Sequence, residues 1–247
     1  MVRKAIPHLF TLSNLFCGCL AVYAAFLHQF NASLVFVCLG VFFDFFDGFL
    51  ARKLGVESAL GVQLDSMADL VTSGLAPGMI MHQLFLLSGV KTIDVTLHLL
   101  DGFPLVFSLA PLAWAAFLIP LGAAVRLAKF NLLTESLPYF KGLPAPACAL
   151  LIMGLPLLFF HPNLTYFQPY LLQPFTLIVF CVIAVFLMNV HWRMFSFKGN
   201  GEKSAWLFPA ILLLNATVLI FFFGVAALSA IILCYLFLSW IKNLLKM

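Results

Sequence analysis

Long uninterrupted runs of hydrophobic residues, separated by short polar stretches, dominate the chain. A membrane-spanning helix needs roughly twenty consecutive apolar residues, because each residue advances the helix by only about 1.5 Å. Runs of that length predict eight helices, at residues 9–29, 33–53, 59–87, 105–131, 144–160, 170–190, 206–223 and 225–243. The pattern therefore predicts an all-α, polytopic membrane bundle with both chain ends on one side.

The boundary between the last two predicted helices is the weakest in this scheme. Only Phe223 and Gly224 separate two strongly apolar runs there. Seven spans with a re-entrant turn therefore remain an alternative to eight. The longest connection on the outer side is predicted at residues 88–104.

Composition agrees with a membrane protein and excludes a soluble domain. Hydrophobic residues make up 64% of the 247 residues and charged residues 9%, against about 25% charged residues in a typical soluble domain. The net charge of +4 suits an anionic membrane leaflet, and nothing in the sequence suggests a nucleic-acid partner. We interpret residues 1–247 as one transmembrane domain, in which 1–146 carries the chemistry and 147–247 adds further helices.

The positive charges predict the orientation. When the chain is threaded through eight spans, every Lys and Arg except Lys91 falls on the same face of the membrane. Positively charged residues are retained in the cytoplasm. We therefore expect a cell (inner) membrane protein with both termini in the cytoplasm.

Four aspartates interrupt the second and third predicted helices near that cytoplasmic face. Asp44 and Asp47 are three residues apart, and Asp65 and Asp69 are four apart, so each pair shares one face of its helix. A short connection at 55–58 makes the two helices antiparallel neighbours. The four carboxylates are thus expected to point into one cavity.

Carboxylates this close repel one another, and a divalent cation removes that conflict. Carboxylate oxygens without nearby His or Cys favour Mg²⁺ or Mn²⁺, and a pair of such ions would bind a pyrophosphate between them. Gly48, Ala51 and Gly61 lie close to the aspartates in sequence and would let a nucleotide or phosphate approach the backbone.

Two alternative roles for the aspartates compete with a catalytic metal site. The aspartates could neutralise Arg52, Lys53 and Arg126 in structural ion pairs, although four acids in two adjoining spans exceed that need. The chain could also be a divalent-cation transporter. Against transport, the acidic residues lie toward one membrane edge, whereas a transport path needs polar residues near the midplane.

The aspartates belong to a longer pattern, DxxDGxxARx(8)GxxxDxxxD, which runs from Asp44 to Asp69. This pattern resembles the signature of the CDP-alcohol phosphotransferases, with each fixed position filled at the family spacing. The resemblance implies that Asp44, Asp47, Asp65 and Asp69 bind metal and that Asp69 is also the general base. It further implies that Gly48, Ala51 and Gly61 accommodate the CDP moiety, beside Asp47, Arg52 and Asp65.

Three further stretches resemble the phosphatidylserine synthases of that family: IPHLFTLSNLFCG at 6–18, AAVRLAKFN at 123–131 and FKGLPAP at 140–146. Asn14 favours the serine enzymes, because phosphatidylglycerophosphate synthases tend to carry Arg there. His8 departs from the usual Asn. Thr11 and Asn14 lie one turn apart and either reach the nucleotide or bond between helices.

The predicted reaction transfers the phosphatidyl group of CDP-diacylglycerol to L-serine and releases CMP. Glycerol 3-phosphate and inositol phosphate are the alternative acceptors within the same chemistry. Arg126, Lys129, Asn131 and Lys141 are the candidate acceptor-binding residues, since a guanidinium can bind a carboxylate through two parallel hydrogen bonds. Family resemblance also implies a homodimer.

Overall fold

The computed structural model describes residues 2–100, 103–132, 140–190, 192–194 and 207–244. Within these ranges the fold is a helical bundle, as predicted. Its main helices are α1 (Val2–Phe26), α2 (Phe30–Leu54), α3 (Ala59–Leu87), α4 (Pro111–Asn131), α5 (Ala145–Phe159), α6 (Pro174–Asn189), α7 (Leu207–Phe223) and α8 (Ala227–Leu244).

Five helical segments among the described residues are long and apolar enough to cross a membrane. They are Ala5–Phe26, Phe30–Leu54, Ala59–Leu87, Pro111–Asn131 and Ile211–Ile241, the last of which includes parts of both α7 and α8. Helices α5 and α6 are apolar but shorter. The protein is thus a multi-pass membrane protein, and the count of eight spans stays a prediction.

The helix predicted from residue 105 begins later than expected. Residues Ile93–Leu100 and Phe103–Leu109 form two antiparallel strands, β1 and β2, in which Val95 lies opposite Phe107. A short apolar run cannot be assigned to helix or strand from its hydrophobicity alone. Pro111 then opens α4 in a 3-10 turn, at a position where its missing N–H is not needed.

Helix α1 organises the N-terminal half. It packs against α2 and along the length of α3, whereas α2 approaches α3 chiefly beyond Asp69. The expectation that α2 and α3 converge near the aspartates holds for their carboxylates, although the two helix backbones stay farther apart there than they do from α1. Because α1 packs against both helices, an open space remains between them at the end where the connection 55–58 lies.

The main hydrophobic core lies away from that opening, around the second half of α3. Its fully buried side chains include Ile80, Leu84 and Phe85 of α3, Ile119 of α4 and Leu177 of α6. Large side chains fill this end of the bundle tightly. The polar opening is thus anchored on a well-packed apolar base.

Helices α7 and α8 form an antiparallel hairpin. Leu212 near the start of α7 packs against Leu238 and Ile241 near the end of α8. A 3-10 turn at Gly224–Ala226 connects them, which confirms the predicted break after Phe223. The hairpin is attached to the rest of the bundle where the hydroxyl of Ser229 donates a 2.6 Å hydrogen bond to the carbonyl of Leu151 in α5.

Candidate functional site

Three of the four signature aspartates converge. Asp44 and Asp47 of α2 and Asp65 of α3 each place a carboxylate oxygen within 4.8 Å of the others. Asp47 is buried, and the other two are half-buried. Asp69 lies one helical turn beyond Asp65 and outside this group of three. The structure therefore gathers three of the four predicted acidic residues from two helices within this distance.

The connection between α2 and α3 is fixed by capping at both ends. Gly55 ends α2 in the left-handed conformation (φ 61°), which a residue without a Cβ adopts without strain. Ser58 begins α3, and its hydroxyl accepts a 3.1 Å hydrogen bond from the backbone N–H of Gly61. These caps hold the two acidic helix ends at a defined separation.

A cavity of about 210 Å³ opens between α1, α2 and the start of α3. It is lined by seven of the eight residues predicted from the sequence to bind the CDP moiety, namely Thr11, Asp47, Gly48, Ala51, Arg52, Gly61 and Asp65. Asn14 was expected there too, but it is fully buried and does not line the cavity. Because residues 48, 51 and 61 are small, a ligand in the cavity can approach the backbone at these positions.

Two polar residues of α1 bind the aspartates directly. The Thr11 hydroxyl lies 2.5 Å from Oδ2 of Asp47, and Asn14 donates from Nδ2 to Oδ1 of Asp69 at 3.3 Å. The interhelical hydrogen bond, one of the two roles predicted for these residues, is observed, and their role toward the nucleotide stays a prediction. Both contacts link α1 to a carboxylate of another helix.

The donor set fits a divalent cation. Among the described residues, the Asp65 Oδ1 atom is buried and has no hydrogen-bond partner. A buried carboxylate oxygen without a partner is costly unless a cation or water binds it. Three converging carboxylates provide only hard oxygen ligands, which suits Mg²⁺ or Mn²⁺. Asp44, Asp47 and Asp65 therefore form a chemically suitable cation site.

The nearby cations have partners other than the aspartates. Lys53 lies 5.7 Å from the centre of the Phe49 ring, and Arg126 donates a hydrogen bond to the carbonyl oxygen of Met188 at the end of α6. The Arg52 guanidinium lies above the Cα of Gly48, where it lines the cavity. These contacts do not support the alternative in which the aspartates exist to neutralise these three residues.

The three candidate acceptor-binding residues with described side chains differ in their surroundings. Arg126 contacts α6, Asn131 donates a 2.8 Å hydrogen bond to the hydroxyl of Ser66, and Lys129 is exposed. The side chain of Lys141 lies outside the described part of the chain. Asn131 thereby ties the end of α4 to the residue that follows Asp65, which brings α4 close to the acidic cluster.

Sequence reasoning missed His8 and Ser58 as cavity residues. Among the described residues, Nδ1 of His8 is buried without a hydrogen-bond partner, and its ring lies against Gly61. The signal was present, because His8 stands one turn before Thr11 on α1. From the sequence alone, His8 stands out only as a departure from the usual Asn.

The fold and the acidic cavity together define a class: a multi-pass membrane protein with a carboxylate-lined cavity at one end of its bundle. The sequence profile of the CDP-alcohol phosphatidyltransferase family matches residues 4–190. That match covers most of the chain, and the chain belongs to this family. The matched region includes α5 and α6 and ends before α7.

Curated relatives carry a more specific name. The chain is 37% identical to CDP-diacylglycerol–serine O-phosphatidyltransferase of Bacillus subtilis, over 57% of this chain and 69% of the relative. Proteins of the same name from Mycobacterium leprae and Methanocaldococcus jannaschii are 30% and 34% identical. Each of these matches covers 62% of this chain, with 46% and 62% of the respective relatives, so the chain spans less than two thirds of those two.

Proposed function

We propose that this protein transfers the phosphatidyl group of CDP-diacylglycerol to the hydroxyl of L-serine, forming phosphatidylserine and CMP. The observation that carries the proposal is the convergence of Asp44, Asp47 and Asp65 beside the small-residue cavity. Relatives named for this reaction support serine as the acceptor. Oxygen-only ligands and a cavity of this size suit a cation-bound diphosphate better than a path through the membrane.

The diphosphate end of the lipid nucleotide is assigned to the cavity. Gly48, Ala51 and Gly61 leave its walls open to the nucleotide, and Arg52 offers a positive charge at its rim. Asp44, Asp47 and Asp65, with Asp69, would hold one or two Mg²⁺ or Mn²⁺ ions. When bound, such an ion neutralises the negative charge that develops on the phosphates.

Asp69 has a separate role in this scheme as the general base. It accepts the proton of the serine hydroxyl, whose oxygen forms a bond to the phosphorus that carries diacylglycerol. The bond from that phosphorus to the bridging oxygen breaks, and CMP leaves with the electron pair. Asn14 orients the Asp69 carboxylate through its 3.3 Å hydrogen bond.

The site is proposed to face the cytoplasm, where serine is available, and the acyl chains would enter from the bilayer. The positive-inside distribution of Lys and Arg supports this orientation. Both termini are then cytoplasmic, and the membrane is the cell (inner) membrane. A homodimer and acceptor-binding roles for Arg126, Lys129, Asn131 and Lys141 complete the proposal.

Acceptor choice is the test that separates this proposal from its alternatives. Purified protein is incubated with CDP-diacylglycerol, Mn²⁺ or Mg²⁺, and serine, glycerol 3-phosphate or inositol phosphate in turn, and CMP is measured. We expect CMP release with serine. Release with glycerol 3-phosphate alone would contradict the serine assignment. Failure with every acceptor, combined with Mn²⁺ uptake into proteoliposomes, would favour the transporter.

A further inference from the structure

A chain of buried hydrogen bonds leads away from Asp69 into the bundle. Asn14, which is fully buried, donates to Asp69 and places its own Oδ1 atom 2.8 Å from the hydroxyl of Thr72. Thr72 is also fully buried, and its hydroxyl lies 3.2 Å from the backbone oxygen of Asn14. Three polar groups from α1 and α3 are thereby linked in the order Thr72, Asn14, Asp69.

The Asp69 carboxylate and the Thr72 hydroxyl together fix the orientation of the Asn14 amide. An ionised carboxylate only accepts hydrogen bonds, so the amide must turn its NH₂ group toward Asp69. Its oxygen then faces α3 and needs a donor, which the Thr72 hydroxyl supplies. Without that donor, the Asn14 amide could rotate by half a turn. Its oxygen would then face the Asp69 carboxylate, and the two would repel each other.

Space for this arrangement is made by two glycines on the opposing helices. A Cβ added to Gly18 of α1 would lie 2.5 Å from the Thr72 hydroxyl oxygen. One added to Gly40 of α2 would lie 2.7 Å from the Thr72 methyl group and 2.8 Å from Oδ1 of Asn14. Three helices therefore close around the Thr72–Asn14 contact.

The backbone of α3 changes at the same place. Residues Leu70–Leu75, which follow Asp69 directly, form a π-helical segment, and Thr72 lies within it. Wide turns of this kind inside α-helices are frequently found at functional sites. The irregular turn thus coincides with the residue that completes the hydrogen-bond chain.

We propose that Thr72 is a positioning residue for the transfer reaction: its hydroxyl fixes the Asn14 amide, and that amide holds Asp69 in the orientation that receives the acceptor's proton. The inference rests on the proposed function and deepens it. Thr72 is fully enclosed by the bundle, so it acts through Asn14 and does not contact substrate. The chemical step depends on it, and substrate binding does not.

The test compares Thr72→Val, which keeps the shape and removes the hydroxyl, with Thr72→Ser, which keeps the hydroxyl. CMP release from CDP-diacylglycerol and serine is measured with the purified full-length protein. Thr72→Val should lower kcat ten- to a hundredfold, because small displacements of a reacting group cost about that much. KM for both substrates should stay within about twofold, and Thr72→Ser should restore kcat to within about threefold.

A matched control lies one residue away. Ser73 is buried, and among the described residues its hydroxyl has no hydrogen-bond partner. Ser73→Ala removes the same chemical group from the same π-helical segment, and its kcat should equal that of the wild type. Thermal unfolding of each variant in detergent checks that the Thr72→Val protein is folded.

Several outcomes would overturn the inference. An unchanged kcat in Thr72→Val would do so, as would a Thr72→Ser protein as slow as Thr72→Val, because the methyl group would then be what matters. If Thr72→Val does not fold, Gly40→Ala displaces the same amide, and an unchanged kcat there is equally contrary. A wild type that releases no CMP with any acceptor overturns the proposed function itself.

Discussion

The buried polar side chains of helices α1 to α3 and the exposed ones of helix α7 form different kinds of hydrogen bond. In α7, Asn215 and Thr217 donate to the carbonyls of Ile211 and Leu214 in their own helix. In the first three helices, Thr11, Asn14 and Thr72 bond across to a different helix. A bond within one helix only satisfies a polar group, whereas a bond between helices also fixes the position of both.

The exposure of side chains also differs between these two regions. Phe221 and Phe222 of α7 are 84% and 65% exposed, as expected of side chains in contact with lipid, whereas Asn14 and Thr72 are completely enclosed. Lipid-facing side chains can be exchanged for others of similar polarity at little cost. Enclosed polar pairs cannot, because losing one partner leaves the other unsatisfied. The two regions should therefore respond very differently to mutation.

The largest expected effect is at the proposed base. Asp69→Asn removes the proton acceptor and should lower kcat about a thousandfold, within the range for loss of general base catalysis. CMP release under saturating substrate measures it. Asp94→Asn in β1, far along the chain from the acidic cluster, should behave as wild type. An active Asp69→Asn protein would show that another group takes the proton.

A smaller effect is expected from filling the cavity. In Gly61→Val the new side chain would start 3.3 Å from both His8 and the Ser58 hydroxyl and extend into the space assigned to the nucleotide. KM for CDP-diacylglycerol should rise about tenfold, equivalent to about 1.4 kcal/mol of lost binding. Ala59→Val on the exposed side of the same helix is the control. Equal KM values for the two variants would place the nucleotide elsewhere.

The attachment of the α7–α8 hairpin should affect stability more than turnover. A Cβ on Gly154 of α5 would lie 2.5 Å from the Ser229 hydroxyl of α8, so Gly154→Val forces the two helices apart. Overpacking of this kind costs about 1–3 kcal/mol. Thermal unfolding in detergent should show the loss, while kcat of the folded protein stays within about twofold. A large fall in kcat with normal stability would mean that the hairpin contributes to the site.

The smallest effect is expected on the lipid-facing surface of that hairpin. Phe221→Ala removes a side chain that is 84% exposed, and surface substitutions of this kind usually change stability by less than about 0.5 kcal/mol. Activity and unfolding temperature should both equal those of the wild type. A strong loss of either would identify a protein interface on α7, such as that of the expected homodimer.

Much of the architecture could be predicted because hydrophobic length and charge placement depend only on local sequence. The helix boundaries at Leu54, Leu87 and Phe223 and the convergence of Asp44, Asp47 and Asp65 were predicted in this way. The strands at Ile93–Leu100 and Phe103–Leu109 were not, because a short apolar run suits either kind of structure.

Contacts between distant helices could not be predicted. Nothing in the local pattern shows that α1 packs against both α2 and α3, or that Thr72 meets Asn14 across 58 positions of sequence. Arg126 was expected to face the acceptor, and its bond to the Met188 carbonyl depends on how α4 and α6 happen to pack. Such pairings are determined by tertiary packing, and the periodicity of a single helix carries no information about which helices pack together.

The position of α1 also has a consequence for biosynthesis. Helix α2 precedes α3 in the chain, so Asp44 and Asp47 leave the ribosome before their partner Asp65. At that stage α1 is already in place, and the Thr11 hydroxyl can bind Asp47. Helix α1 is thus available to hydrogen-bond with Asp47 before Asp65 arrives. A Thr11→Val protein should accordingly insert less efficiently during translation, even where the finished site tolerates the change.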